Sequence, residues 1–504
     1  MRQYNRCMSL PAAVYSTAQV RALDRYAIEV QGVPGYVLME RAARASLFFL
    51  QRQWPGAQRL TVVCGGGNNG GDGYVLARLA QAAGLSVSVM AGVLPDKLQG
   101  DARRAWTDWL AANGRVTPFD ATALAAADVI VDALCGIGLQ SDLRSEAQAI
   151  VAAVNAAGRP VLALDVPSGL CSDTGRVLGA AIVAAATVCF VGLKQGLFLG
   201  AGPRLTGVLA FDALDIVAPA SPDFAPRMTR LTRLELTAAF APRPRDAHKG
   251  LFGEVLVIGG GAGMPGAAAL AARAALRVGA GRVRVACAPD SAAAIASHTP
   301  EVMVSALPGA AGLQELLAGC SIVLLGPGLG TTPWARGVWL QTLQYCREHS
   351  RPLVLDADAL NLLAEDTAAL AGCDAVLTPH PGEAARLAGS TSSAVQDDRL
   401  GTLDALCRTF SAVVVLKGAC TLIGAVGQTP SVCSDGNPGM ATAGMGDVLA
   451  GAVAGLLAQI RDPWQAARLA VLAHALAGDV AAAGGERGLL ASDVVETLRL
   501  MVNR

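Results

Sequence analysis

The sequence predicts an α/β protein made of two three-layer domains, on three observations. Apolar strand-like runs alternate with alanine-rich helical stretches, the chain is 504 residues long, and a proline-rich interruption divides it near the middle. A chain of that length exceeds one ordinary domain, and each half can bury roughly 70 to 75 per cent of the surface it exposes when unfolded. Glycine is abundant, at 57 residues, and aromatic residues make up only 4%. Small-residue helices packed close against sheets are the expected consequence.

Taken in order, the runs at 60–64, 86–90, 129–132 and 160–165 read as buried parallel strands, with a helix expected from near Tyr74. Residues 219–249 contain Pro-Ala-Ser-Pro-Asp-Phe-Ala-Pro and Ala-Pro-Arg-Pro-Arg-Asp-Ala-His and read as an interdomain connection. The domains are therefore expected at 1–225 and 226–504. Downstream, the runs at 254–258, 282–287, 322–325, 352–356 and 413–416 repeat the βαβ pattern. No short-period repeat is found.

Composition narrows the partners. Formal charge is zero and no Lys/Arg run occurs, which argues against nucleic acid and anionic membrane surfaces and for a small molecule. Twelve scattered cysteines, with no Cys-x-x-Cys and no zinc-ligand spacing, fit reduced thiols. Residues 1–10 hold two arginines and no apolar core of signal-peptide length, and no run reaches the roughly 18 uninterrupted apolar residues of a membrane span. The chain reads as cytoplasmic, and a homo-oligomer is expected.

In the first half, Thr61-Val-Val-Cys-Gly-Gly-Gly-Asn-Asn-Gly-Gly-Asp-Gly leads from a strand toward a helix. Gly65, Gly67 and Gly70 satisfy the dinucleotide fingerprint, but the next strand ends in Ala91-Gly92 with no acidic residue for a ribose. The loop offers oxygen instead, from Asn68, Asn69 and Asp72; the asparagines serve equally well as turn residues. Two later strands end in Asp132 and Asp165, the second followed by Ser168. Strand carboxyl ends line the crevice of an open parallel sheet, and a set of hard oxygens without His or Cys suits an alkali or alkaline-earth cation.

In the second half, Asn437-Pro-Gly-Met-Ala-Thr-Ala-Gly-Met-Gly-Asp-Val-Leu-Ala-Gly delivers Asp447 to the start of a long helix. Free N–H groups there attract anions, and Gly444 and Gly446 let an oxygen approach the backbone. A carboxylate at that place can take a hydroxyl proton while the N–H groups hold a phosphoryl charge; an acidic first turn is the plainer alternative. Strand ends at Gly326-Pro-Gly-Leu-Gly, Leu355-Asp-Ala-Asp-Ala-Leu-Asn, Leu377-Thr-Pro-His-Pro-Gly-Glu and Val414-Val-Leu-Lys-Gly-Ala-Cys-Thr accompany it, with no P-loop signature. Gly261, Gly263, Gly266 and Asp290 keep a dinucleotide-binding Rossmann domain open for this half.

With Ser16-Thr-Ala-Gln-Val-Arg-Ala-Leu-Asp, Leu38-Met-Glu-Arg-Ala-Ala, the Asn-Asn-Gly-Gly-Asp-Gly loop and Asp-Val-Pro-Ser-Gly in view, the first half resembles the NAD(P)H-hydrate epimerase family over about residues 12–220. It implies a Rossmann-like domain with potassium held by Asn69, Asp132 and Ser168. It implies substrate contacts from Asn68, Asn69, Gly70, Gly71 and Asp72, from Asp165 as acid/base group, and from the loop Gly136, Ile137, Gly138, Leu139, Gln140, Ser141 and Asp142. Gly66 and Arg41 depart from a proline and an asparagine usual in that family. Lys194, in Val191-Gly-Leu-Lys-Gln-Gly-Leu, is placed to reach a substrate phosphate, but the favoured reading is a solvated lysine after a strand.

His248-Lys-Gly, Asp356-Ala-Asp-Ala-Leu-Asn, Thr378-Pro-His-Pro-Gly-Glu and Gly439-Met-Ala-Thr-Ala-Gly-Met-Gly-Asp resemble the ribokinase-like superfamily and, within it, the nucleotide-dependent NAD(P)H-hydrate dehydratases, across about residues 230–504. The resemblance implies that Lys417, Gly418, Ala419, Cys420, Thr421 and Gly446 hold ADP or ATP with magnesium, ADP being favoured. Ala267, Gly328, His380 and Asp447 would line the hydrated-nicotinamide site, with His380 binding rather than shuttling protons, and Ala443 replaces a usual glycine. Together the halves would restore hydrated NADH and NADPH (NADHX and NADPHX), one interconverting R and S epimers and the other dehydrating the S form. A ribokinase-like small-molecule kinase with a regulatory first half is the rival reading, and a non-catalytic ligand-binding or protein-interaction first half is another.

Overall fold

The computed structural model describes residues 10–93, 95–309 and 311–503. Residues 1–9, most of the segment without a signal-peptide core, lie outside these. The chain forms two compact units, Met1–Thr229 and Arg230–Arg504.

The first unit is built on a seven-stranded sheet. Its strands are β1 (Arg59–Cys64), β2 (Ser86–Ala91), β3 (Val116–Pro118), β4 (Val129–Ala133), β5 (Val161–Leu164), β6 (Ala186–Phe190) and β7 (Val208–Asp212). They lie in the order β3-β2-β1-β4-β5-β6-β7, every neighbouring pair parallel. The inner strands β1, β4, β5 and β6 are largely apolar on both faces because both are covered, whereas β2, β3 and β7 carry exposed residues. Val62, Val131 and Leu164 enter one core and Val63, Ile130 and Ala163 the other. Strand order reverses between β1 and β4, the switch point at which such sheets open a crevice.

One expectation is corrected here. The helix after β1 starts at Asn68 (Asn68–Ala82), not near Tyr74, so the Asn-Asn-Gly-Gly-Asp run is its first turn. Paired glycines weaken the helical signal, yet packing requires them. A Cβ on Gly70 would collide with the Gly65 carbonyl, and one on Gly71 would lie 2.5 Å from Met39 Cε.

The second unit carries β8 (Glu254–Ile258), β9 (Arg282–Cys287), β10 (Met303–Ala306), β11 (Ile322–Leu325), β12 (Leu353–Leu355), β13 (Ala375–Leu377), β14 (Val413–Leu416), β15 (Thr421–Gly424) and β16 (Ser431–Cys433). Their order is β10-β9-β8-β11-β12-β13-β14-β15-β16, parallel up to β14 and antiparallel beyond. Helices Pro265–Arg277, Met445–Ile460 and Pro463–Ala481 share its alanine-rich core. The stretch 463–484, long and apolar enough by composition to cross a membrane, is 67% buried inside the protein and serves as a core helix. Part of the expected connection is ordered, since Arg233–Ala239 is a helix with a Thr232/Glu235 capping box.

Candidate active sites

In the first unit a cavity of about 660 Å³ opens at the carboxyl ends of the strands. Of the expected residues, Asn68, Asn69, Asp72, Gly136, Ile137, Gly138, Leu139 and Asp165 line it. Gln140, Ser141 and Asp142 are exposed outside that lining, and Gly70 and Gly71 act through packing. Asp165 leaves β5 with φ 68°, a left-handed backbone that costs most residues but that Asp tolerates.

Lys194 is not solvated. It is 1% exposed and lines the cavity, held by the parallel pairing of Ala13–Tyr15 with Leu193–Lys194, which sets Tyr15 beside it. Its ammonium donates to Asp165 Oδ1 and, at 2.7 Å, to the Phe190 carbonyl. Burial alone would depress its pKa, but the Asp165 carboxylate overrides this and the net direction is upward. Asp24, from helix Thr17–Glu29, also lines the cavity. Burial pushes it up to about 6, with Lys194 opposing and Asp165 reinforcing. Burial also pushes Asp72 well above the carboxylate range, reinforced by Asp165 and Asp24. One ammonium thus faces three carboxyl groups. Asp24 closes the Ser16 motif; nothing in its spacing marks it as a site residue.

Asp132 and Ser168 meet as expected. The carboxylate accepts from Ser168 N at 2.8 Å, Ser168 Oγ at 2.6 Å and Leu134 N at 3.2 Å. Burial raises Asp132 to about 6 against these bonds. Asn69 is buried with both amide atoms unpartnered, and its Oδ1 would lie 3.7 Å from a Cβ on Gly136. An orphaned amide oxygen and a buried carboxylate near the carboxyl ends of the central strands are donors of the kind an alkali or alkaline-earth cation takes.

In the second unit the turn before Met445–Ile460 places Gly444 at φ 88° as the helix N-cap and Asp447 in the first turn. A Cβ on Gly446 would lie 3.2 Å from Lys417 Nζ. Lys417, at the end of β14, bonds Asp356 Oδ1 at 2.8 Å and lies 3.8 Å from Glu383 Oε2. Burial raises Asp447 to about 7, Asp356 adding and Lys417 opposing. Burial likewise raises Glu383 to about 7, with Lys417 opposing. Thr378 Oγ1 donates to Asp356 Oδ1 at 2.7 Å.

His380 caps helix Pro381–Leu387, its Nδ1 accepting from Gly382 N at 2.9 Å and Glu383 N at 3.3 Å. Burial, then Lys417, lower its pKa, and the two backbone donors fix the ring with Nδ1 as acceptor. Gly328 has φ 59°, and a Cβ there would lie 3.1 Å from Ala267 Cβ. Residues Lys417 to Cys420 turn from β14 into Thr421 of β15, with Gly418 and Ala419 exposed. Arg399, which nothing local marks, is buried behind that turn and donates to the carbonyls of Leu416, Lys417 and Cys420 at 3.1 to 3.2 Å.

A family model described as NAD(P)H-hydrate dehydratase matches residues 255–500, and one described as YjeF-related protein N-terminus matches 35–196. The bifunctional NAD(P)H-hydrate repair enzyme of Coxiella burnetii is 44% identical over 494 residues, covering 97% of this chain and 99% of that protein. The chain belongs to the bifunctional NAD(P)H-hydrate repair enzymes. The Escherichia coli member is 38% identical over 497 residues, covering 98% of this chain and 95% of its own. A ribokinase-like superfamily protein from Enterococcus faecalis superposes with a TM-score of 0.51 at 29% identity, covering 55% of this chain and 96% of that one. The repair enzyme therefore joins an epimerase domain to a ribokinase-like dehydratase domain, and its substrates are hydrated reduced nicotinamide nucleotides.

Proposed function

We propose that the first unit, near 1–225, interconverts the R and S epimers, and that the second, near 226–504, dehydrates the S epimer at the expense of ADP or ATP. The observation that carries this is the pair of chemically separate clusters, Asp165 with Lys194 in one unit and Asp447 with Lys417 and Asp356 in the other, each at strand carboxyl ends. In the first, Asp165 exchanges the proton, and Asn69, Asp132 and Ser168 hold potassium, whose charge offsets the buried Asp132 carboxylate. In the second, Lys417, Gly418, Ala419, Cys420, Thr421 and Gly446 take the nucleotide, and Ala267, Gly328, His380 and Asp447 take the hydrated ring.

Asp447 accepts the hydroxyl proton as the substrate oxygen bonds to the terminal phosphorus and the bond to the nucleotide breaks. The N–H groups of Gly444 to Gly446 stabilise the moving charge. Loss of a ring proton with phosphate as leaving group then restores the C5–C6 double bond, leaving AMP from ADP or ADP from ATP. Among the described residues no group of three or more His, Cys, Asp or Glu side chains forms a metal cage, so magnesium would be held through the nucleotide phosphates. The reading includes ADP as preferred donor, a cytoplasmic setting and assembly into a homo-oligomer, the last tested by light scattering.

The test mixes purified protein, magnesium, potassium and either nucleotide with both epimers of hydrated NADH and follows near-ultraviolet absorbance. Full recovery of NADH, faster with ADP, is expected. A stable phosphorylated product without NADH would favour the kinase reading, and recovery of only the S share would remove the epimerase assignment.

A further inference from the structure

The Asp165 carboxylate is held asymmetrically. Phe190 N–H donates to Oδ1 at 3.1 Å and the Lys194 ammonium donates to the same oxygen, while no described residue donates to Oδ2. Lys194 is in turn fixed by the Phe190 carbonyl at 2.7 Å and by its place beside Tyr15, and both Asp165 and Lys194 line the cavity. We infer that Lys194 is the positioning residue of the first site, clamping Oδ1 of Asp165 so that Oδ2 faces the substrate as the proton-exchanging oxygen. This deepens the assignment of epimerisation to the first unit and rests on it.

The charges agree with this geometry. The groups facing Lys194 are Asp165 beyond β5, Asp24 on helix Thr17–Glu29, Asp72 on helix Asn68–Ala82 and Cys189 on β6. Burial favours the protonated forms of Asp24, Asp72 and Cys189, and Asp165 is the carboxyl group of the three that the ammonium touches. The proton that Oδ2 takes from substrate returns to product, so no co-reactant is consumed. An acid/base carboxylate next to a fixed positive charge works at lower pH than one without it.

The test uses the full chain with Lys194→Met, Lys194→Gln and Lys194→Arg. R-epimer repair is followed against pH, and S-epimer dehydration by the same preparations serves as the folding control. Loss of the charge in the Met and Gln variants should lower R-epimer turnover roughly 100-fold, mainly in kcat, and move the acid limb of the profile up by about one pH unit or more. The Arg variant should keep the limb where it is. S-epimer dehydration should stay within about twofold throughout, since the second unit does its own chemistry. A limb unmoved in both Met and Gln variants overturns the inference, whatever the loss of rate, because a merely structural lysine changes amplitude and not position. Asp165→Asn separates the two levels: if it retains R-epimer repair, the site assignment itself is wrong, whereas its loss beside an unmoved Lys194→Gln limb removes only the role of Lys194.

Discussion

Lys417 and Asp356 form a buried pair, Nζ to Oδ1 at 2.8 Å, with Glu383 next to the ammonium at 3.8 Å. The ammonium beside the Gly444–Gly446 turn is therefore already partnered within the fold. Thr378 fixes the same Asp356 oxygen, so the pair is held from two strand ends. Leaving one member of such a pair alone in the interior is costly.

Asp356→Asn should therefore destabilise the second unit, by about 1–3 kcal/mol because Glu383 remains beside the ammonium, and abolish dehydration. It also removes one of the charges that raise Glu383, so Glu383 should titrate lower as it becomes the main partner of Lys417. Calorimetry of the variant checks the first expectation. A transition unchanged from that of the parent would mean the pair contributes nothing net.

His474, on helix Pro463–Ala481, is buried with Nε2 unpartnered. Burial, then Lys417, depress its pKa to about 4, against a bond to the Met445 backbone. The folded state thus binds this proton less readily than the unfolded chain. Its contribution to stability is complete above the unfolded value near 6.5 and is lost as pH falls toward 4, by about 3 kcal/mol in all. His474→Leu should lose correspondingly less stability between pH 7 and 4, read from urea midpoints. Parallel losses in the two proteins would show that His474 does not report on this transition.

Much of this architecture is legible in sequence because parallel strands covered on both faces must be apolar throughout. The runs at Glu254–Ile258, Ile322–Leu325 and Val413–Leu416 coincide with strands for that reason, while Arg282–Cys287 shows itself by alternation of Arg and Val. The carboxylates that end such runs stand out against their apolar background, and Asp132 and Asp165 were accessible in that way. Partnerships across long separations were not. Lys194 follows a strand like any solvated lysine, and only the fold brings Asp165, 29 residues earlier, to its ammonium. Arg399 and His474 sit in helical stretches whose periodicity gives no sign of what they face. The start of the helix at Asn68 was hidden because glycine, poor in helices, was selected there by close packing.

The potassium assignment predicts a cation-specific stability. At tenfold excess over its dissociation constant a bound ion stabilises by about 1.4 kcal/mol, so the first unit should melt at a higher temperature in potassium than in lithium chloride at equal ionic strength. Asn69→Leu, which removes the orphaned amide, should erase that difference. A parent protein indifferent to the cation would sink the assignment of Asn69, Asp132 and Ser168.

Asp447 is where activity and stability should move in opposite directions. Its carboxyl is raised to about 7 by burial first and Asp356 second, and as a base it must be ionised, so dehydration should increase with pH through about 7. Asp447→Asn should cost roughly 100- to 10,000-fold in dehydration while leaving epimerisation intact. The same shift implies that the folded state holds this proton more tightly than the unfolded chain. The carboxyl's contribution is most favourable below about pH 4 and declines as pH rises through 7, so a neutral amide should gain stability relative to the parent above that pH, on the order of 1–4 kcal/mol. A general structural lesion would lower turnover and stability together. Loss of dehydration with a higher melting temperature at pH 8 is the signature expected of a strained catalytic base, and retention of near-parent turnover would remove Asp447 from the mechanism.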